Sequence, residues 1–191
     1  MYLVDLDGTL IDSDEHMQET FTRTCRELRV RPTHDVIPPG GDPTVVLPDK
    51  WRTGERFVVF GELYWALYEE HLTHVKPYPG SIELLHNHRV AVVTNKPQRI
   101  AELETRFLHL NTPVIGYGRP GVKRKPNPDL LHIASAALGV PIGCLVMVGD
   151  LESDMLAGHA AGTRETILVS RDETPRQTRA HRVVPCLTSL L

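Results

Sequence analysis

Two carboxylates stand two residues apart at the end of a short apolar run, where Tyr2-Leu3-Val4 leads into Asp5-Leu6-Asp7-Gly8-Thr9-Leu10. The apolar residues read as a buried strand. Residues two apart on a strand face the same side, so Asp5 and Asp7 can converge on one point. Negative charges that close oppose each other's ionisation unless a cation compensates them. A divalent metal is the simplest compensation, and hard carboxylate oxygens suit Mg²⁺. Gly8 then turns the chain, since glycine accepts positive φ without penalty. A single aspartate at a strand end serves solubility, but two of them in Asp-x-Asp-Gly-Thr after an apolar run suit a site better.

Three further groups recur in similar settings. Val90-Ala91-Val92-Val93 ends in Thr94-Asn95, and Leu145-Val146-Met147-Val148 ends in Gly149-Asp150. Between them lies the basic loop Lys123-Arg124-Lys125-Pro126-Asn127-Pro128. Taken singly, Thr94-Asn95 is an ordinary helix N-cap and the basic loop a solvated surface turn. An acid straight after a buried strand, as at Asp150, has no packing use. In a parallel α/β sheet such strand ends lie along one edge, where ligands bind.

With these groups in view, the stretch from Asp5 to Ser13 resembles the first signature of the haloacid dehalogenase-like phosphohydrolases, near the phosphoglycolate phosphatase and β-phosphoglucomutase branch. Phosphoryl transfer needs a nucleophile, a charge-neutralising metal and donors to the equatorial oxygens. The resemblance implies that Asp5 is the nucleophile, forming an aspartyl-phosphate. It makes Asp7 the general acid toward the leaving oxygen and then the general base toward water. Thr94 and the backbone N–H groups around Gly8 and Asn95 would bind phosphoryl oxygens, and Lys125 would steady the nucleophile and the transferring group. Lys123 competes for that last role, but the Lys-Pro-x-Pro spacing favours Lys125. Asp5, the main-chain carbonyl of Asp7, and Asp150 would hold Mg²⁺, with Asp154 in support. The chain departs from the family pattern at Leu151, where a serine or threonine is usual. The acid at position 7 disfavours dehalogenation.

The elements needed to position these residues follow from periodicity. Ser13 to Leu28 carries Met17, Phe21, Cys25 and Leu28 at helical spacing, with Ser13 as N-cap. Prolines and glycines from Arg31 to Gly54, Pro39-Gly40-Gly41 among them, leave no room for a long element. A second helix is expected from about Glu55 to His71, with Phe57, Phe60, Tyr64, Leu67 and Tyr68 on its apolar face. Residues 13–77 then form a helical cap inserted between the first strand and the rest of a Rossmann-like doubly wound α/β core made of 1–12 and 78–191. In that core, helices are expected over Ser81–His88, Pro97–Leu108, Asp129–Leu138 and Ser153–Ala161. Strands fall at 113–115, 145–148 and 166–169, with a short helix near Arg176.

Length and composition set the outer bounds. The 191 residues suffice for one α/β domain with a modest insert. A net charge of −3 argues for neither nucleic acid nor a membrane surface. Cys25, Cys144 and Cys186 form no C-x-x-C pair and read as reduced thiols of a cytoplasmic protein, a monomer or homodimer. With no long apolar run and a strand beginning at Tyr2, neither a membrane span nor a signal peptide is expected. Ten histidines invite a metal reading. His86 and His88 do not share a helical face, and His71 with His74 fall at a helix end, so scattered surface histidines are the simpler view. Trp51, Tyr64, Trp65 and Tyr68 read as the core of the insert. The favoured expectation is an Mg²⁺-dependent phosphatase acting on a small phosphorylated metabolite. A sugar-phosphate mutase using the same intermediate, and a non-catalytic binding module, are the alternatives.

Overall fold

The first strand, β1 (Tyr2–Val4), is apolar throughout because it runs through the middle of the molecule's main sheet. The two-residue β2 (Ile11–Asp12) follows, then the helices α1 (Asp14–Glu27) and α2 (Gly54–Glu69), and β3 (Lys76–Pro77), which pairs with β2. Alternation then sets in with α3 (Ser81–Asn87), β4 (Val90–Pro97), α4 (Gln98–Phe107), β5 (Val114–Tyr117) and α5 (Asp129–Leu138). The chain finishes with β6 (Val146–Gly149), α6 (Glu152–Ala161), β7 (Glu165–Val169) and β8 (Arg182–Val184). This computed structural model describes residues 1–38, 42–171 and 177–191.

Two units divide the chain, Met1–Asp12 with Pro77–Leu191 and Ser13–Lys76, so Pro77 falls with the first rather than with the insert. The first unit carries a six-stranded parallel sheet in the order β5-β4-β1-β6-β7-β8. The chain winds outward from β1 in both directions, which is the doubly wound Rossmann-like arrangement and puts a topological switch beside β1. Val4 lies opposite both Val92 and Val148, so Asp5, Thr94 and Asp150 all emerge just past this row. Strands of such a sheet are apolar on both faces because helices cover both. Leu3, Ala91, Val93 and Met147 pack on Leu130, Leu131 and Ala134 of α5 and Ala157 of α6. Gly139 and Gly162 end α5 and α6 in the left-handed region, which glycine adopts without penalty.

Within the second unit α1 packs on α2 through buried aromatic rings, Phe21 lying 5.9 Å from Phe60. Tyr64 and Tyr68 are also buried, whereas Phe57 in the first turn of α2 is 39% exposed, outside the buried face predicted for it. Ser13 occupies the N-cap position of α1 but makes no capping bond, its hydroxyl contacting Met17 Sδ instead. Between the helices the described residues hold only short 3₁₀ turns, Pro43–Val46 and Asp49–Trp51, while Pro39, Gly40 and Gly41 lie outside the described residues. The predicted helix near Arg176 likewise lies outside the described residues. The edge strand β8 is absent from the sequence reading. Among the described residues no helix is long and apolar enough to cross a membrane.

Candidate active site

Asp5 is held at the end of β1 by its own N–H, which donates to Val148 O at 2.9 Å and extends the ladder to β6. Its carboxylate is buried, and Oδ1 receives a bond of 2.6 Å from Lys125 Nζ. The same ammonium donates to Asp154 Oδ1 at 2.6 Å and to the Val93 carbonyl at 2.8 Å. Three acceptors use the three N–H bonds of a lysine, so Lys125 is locked. Its loop is clamped from β4, where Asn95 donates to Lys125 O at 2.9 Å and accepts from Lys125 N at 2.8 Å. The Asn95 side chain thus positions the lysine loop. Lys123, by contrast, is exposed.

Asp150 follows β6 and accepts from Thr9 Oγ1 at 3.0 Å. Gly8 passes so close that a Cβ there would collide with the Asp150 carboxylate, and its φ of +73° independently favours glycine. A Cβ on Gly149 would strike Asp154, whose Oδ2 accepts from Leu151 N at 3.1 Å. That main-chain bond does not depend on the side chain at 151, so leucine is tolerated there. Thr94 is buried, and its hydroxyl oxygen accepts from Lys96 N at 3.1 Å, leaving the O–H to donate.

Asp7 faces a second lysine. Lys96 Nζ donates to Asp7 Oδ1 at 2.6 Å and to both oxygens of Glu104 at 2.8 Å, and the lysine and Glu104 side chains are almost fully buried. Burial opposes the charge on Lys96, but Asp7 and Glu104 outweigh it and hold the ammonium above the ordinary lysine range. Neither Lys96 nor Glu104 figures in the sequence reading. A carboxylate beside Ile100 and Ala101 on the buried face of α4 was the available signal, because a buried charge demands a partner. Arg171, two residues past β7, also escapes that reading. Its guanidinium donates to the carbonyls of Gly8 and Thr9 and lies over the Tyr78 ring at 3.6 Å, pinning the loop that carries Asp7.

Asp5, Asp150 and Asp154 each bring a carboxylate oxygen within 4.8 Å of the others. Burial first, and then Asp154 and Asp150 against the opposing Lys125, push Asp5 well above the usual carboxylate range. Burial and Asp154 likewise raise Asp150 to about 7. For Lys125, burial opposes the charge, yet Asp154 and Asp5 prevail and raise it. Three acids around one ammonium leave an excess of buried negative charge, and all-oxygen donors of this kind fit Mg²⁺. The Asp7 carboxylate is engaged by Lys96, which is compatible with a metal contact through its main-chain carbonyl.

A parallel sheet that gathers acids, a threonine and a lysine at one edge defines the class, and comparison with known proteins identifies the family. The sequence pattern of the haloacid dehalogenase-like hydrolases matches residues 2–168, and the chain belongs to that family. It is 31% identical over 180 residues to the phosphoglycolate phosphatase of Aquifex aeolicus, covering 86% of this chain and 82% of the relative. Hexitol phosphatase A of Escherichia coli is 25% identical over 198 residues, covering 99% and 92%. Among solved structures, CbbY from Rhodobacter sphaeroides in complex with phosphate superposes with a TM-score of 0.77 at 18% identity, covering 99% of this chain and 95% of that one. A hydrolase from Pseudomonas syringae gives 0.75 at 22%, covering 99% and 94%. At these identities the structures speak for the fold.

Proposed function

We propose that the chain is an Mg²⁺-dependent phosphoric monoester hydrolase that acts on a small phosphorylated metabolite through an aspartyl-phosphate on Asp5. The observation that carries this reading is the convergence of Asp5, Thr94 and Asp150 past three adjacent parallel strands, with Lys125 bridging Asp5 to Asp154. The phosphatase names of the sequence relatives support the same class.

In the first step a carboxylate oxygen of Asp5 attacks phosphorus as the bond to the leaving oxygen breaks. Lys125 fixes that carboxylate and offsets charge on the transferring group. The Thr94 hydroxyl and the main-chain N–H groups beside Asn95 would donate to the equatorial oxygens, whereas the Gly8 N–H expected among these donors is given to the Ile11 carbonyl at 2.9 Å. With Glu104 balancing the Lys96 ammonium, Asp7 accepts from that lysine through Oδ1 and gives a proton carried on Oδ2 to the leaving oxygen. Water then attacks the phosphoryl group while Asp7 removes its proton, releasing phosphate and free Asp5. Asp5, the Asp7 carbonyl and Asp150 would hold Mg²⁺, and Asp154 would support them. When bound, the ion neutralises the clustered acids and the phosphate oxygens. We assign substrate selection to the inserted unit as a cap, and a cytoplasmic setting suits the three unpaired thiols.

Phosphoglycolate, sugar phosphates and nucleoside monophosphates form the panel that tests the reading. Release of inorganic phosphate from at least one, abolished by chelator, is the expected result. Isomerised sugar phosphate without release would make the chain a mutase, and no turnover of any member would make it a binding module.

A further inference from the structure

The inserted unit holds a cluster with no part in the chemistry above. His16 and Glu19 lie three residues apart on α1 and share a face, and His74 closes the 3₁₀ turn Leu72–His74 that follows α2. One ligand atom from each of the three lies within 4.8 Å of the others. From this geometry we infer a second metal site, a two-histidine, one-carboxylate centre for a Zn²⁺-type ion that ties α1 to the segment after α2.

His16 is prepared for such a role. Its ring is 1% exposed and its Nε2 lies 2.8 Å from the Tyr68 carbonyl near the C-terminus of α2. A carbonyl can only accept, so Nε2 carries the proton and Nδ1 carries the lone pair. A ligating histidine characteristically donates its other N–H to a carbonyl in this way, which fixes tautomer and ring orientation together. The His74 ring stands edge-on to His16 with centroids 5.9 Å apart.

The partner spacing agrees. His74 Nδ1 and Glu19 Oε2 are 3.2 Å apart. Two ligands each about 2.0–2.1 Å from a tetrahedral zinc ion stand roughly 3.3 Å apart, so an ion can replace that hydrogen bond with little movement. Glu19 and His74 are about half exposed, which gives an ion an entry path and a water for its fourth position. Imidazole nitrogens with one carboxylate select zinc-like ions over Mg²⁺, so the ion held here differs from the one the core acids suit. Arg23, the nearest cation on α1 one turn beyond Glu19, is turned to Glu70 at 2.8 Å. The clip would close the chain between α1 and residue 74, which restricts the unfolded state. This site is independent of the phosphatase reading.

The test uses untagged, chelator-treated full-length protein in excess Mg²⁺, titrated with Co²⁺ as a visible probe and then with Zn²⁺. One equivalent of Co²⁺ should develop the absorption of a tetrahedral N/O site, Zn²⁺ should displace it, and the thermal midpoint should rise. Glu19→Gln and His74→Ala, both at exposed positions, should each lose the band, while Asp150→Asn should keep it. Absence of the band in the wild-type protein, its survival in His74→Ala, or its loss in Asp150→Asn would overturn the inference.

Discussion

Lys125 and Lys123 are two residues apart in one basic loop, and only the former reaches Asp5 and Asp154. Lys125→Ala, assayed on folded protein, should lower kcat by about 100- to 1,000-fold, the usual cost of removing one preorganised charge-stabilising donor. Lys123→Ala should leave kcat close to wild type, and equal losses would reassign the lysine. The acids make a prediction in pH. Asp150 is raised from 3.8 to about 7 and Asp5 is raised as well, so the metal-free folded protein keeps protons that the unfolded chain has released. Their contribution to stability is therefore present at low pH and lost as pH rises through about 7. Urea unfolding in chelator should show that decline, and Asp150→Asn should flatten it. Mg²⁺ affinity, which needs ionised carboxylates, should rise over the same interval, and Asp150→Asn should weaken it.

At the scale of elements, α4 and the end of β4 are joined by an ion pair that touches the reaction only through Asp7. Lys96→Met should destabilise the protein by about 3–5 kcal/mol, because it strands Glu104 as an uncompensated buried charge. Adding Glu104→Gln should recover much of that stability in denaturant unfolding. The double variant should still have reduced kcat, since Asp7 has lost the donor that orients it. Full recovery of both would make the pair purely structural. These elements also mark how far the sequence was legible. The buried strands were readable because their apolar runs admit one environment. That Asp5, Thr94 and Asp150 meet at one sheet edge was readable from three apolar strand ends, whereas Lys125 was marked only by the family resemblance, its loop alone reading as a solvated turn. The two-way grip of Asn95 on the lysine loop was not, because it depends on β4 lying beside a segment 30 residues away. Nor was β8, a three-residue edge strand whose pairing with β7 supplies what its own sequence does not signal.

For the molecule as a whole, the proposed function would divide labour between a core that performs the chemistry and an inserted unit that chooses the substrate. Replacing Val36 and Val45, both exposed in the segment between α1 and α2, should reorder kcat/KM across the metabolite panel. The same changes should leave p-nitrophenyl phosphate nearly untouched, because a small activated ester draws little on remote contacts. Uniform loss on every substrate in folded protein would place the segment in the catalytic machinery. Asp5 is proposed to carry the phosphoryl group while Asp7 serves two successive proton transfers, and Asp7→Asn separates the two. p-Nitrophenolate leaves without a proton, so the variant should still form the intermediate, but it cannot activate water to hydrolyse it. Rapid mixing of Asp7→Asn with p-nitrophenyl phosphate and Mg²⁺ should therefore give a burst approaching one nitrophenolate per enzyme, with phosphate retained on Asp5. Loss of both steps together, or labelled phosphate on any residue other than Asp5, would contradict these roles of Asp5 and Asp7.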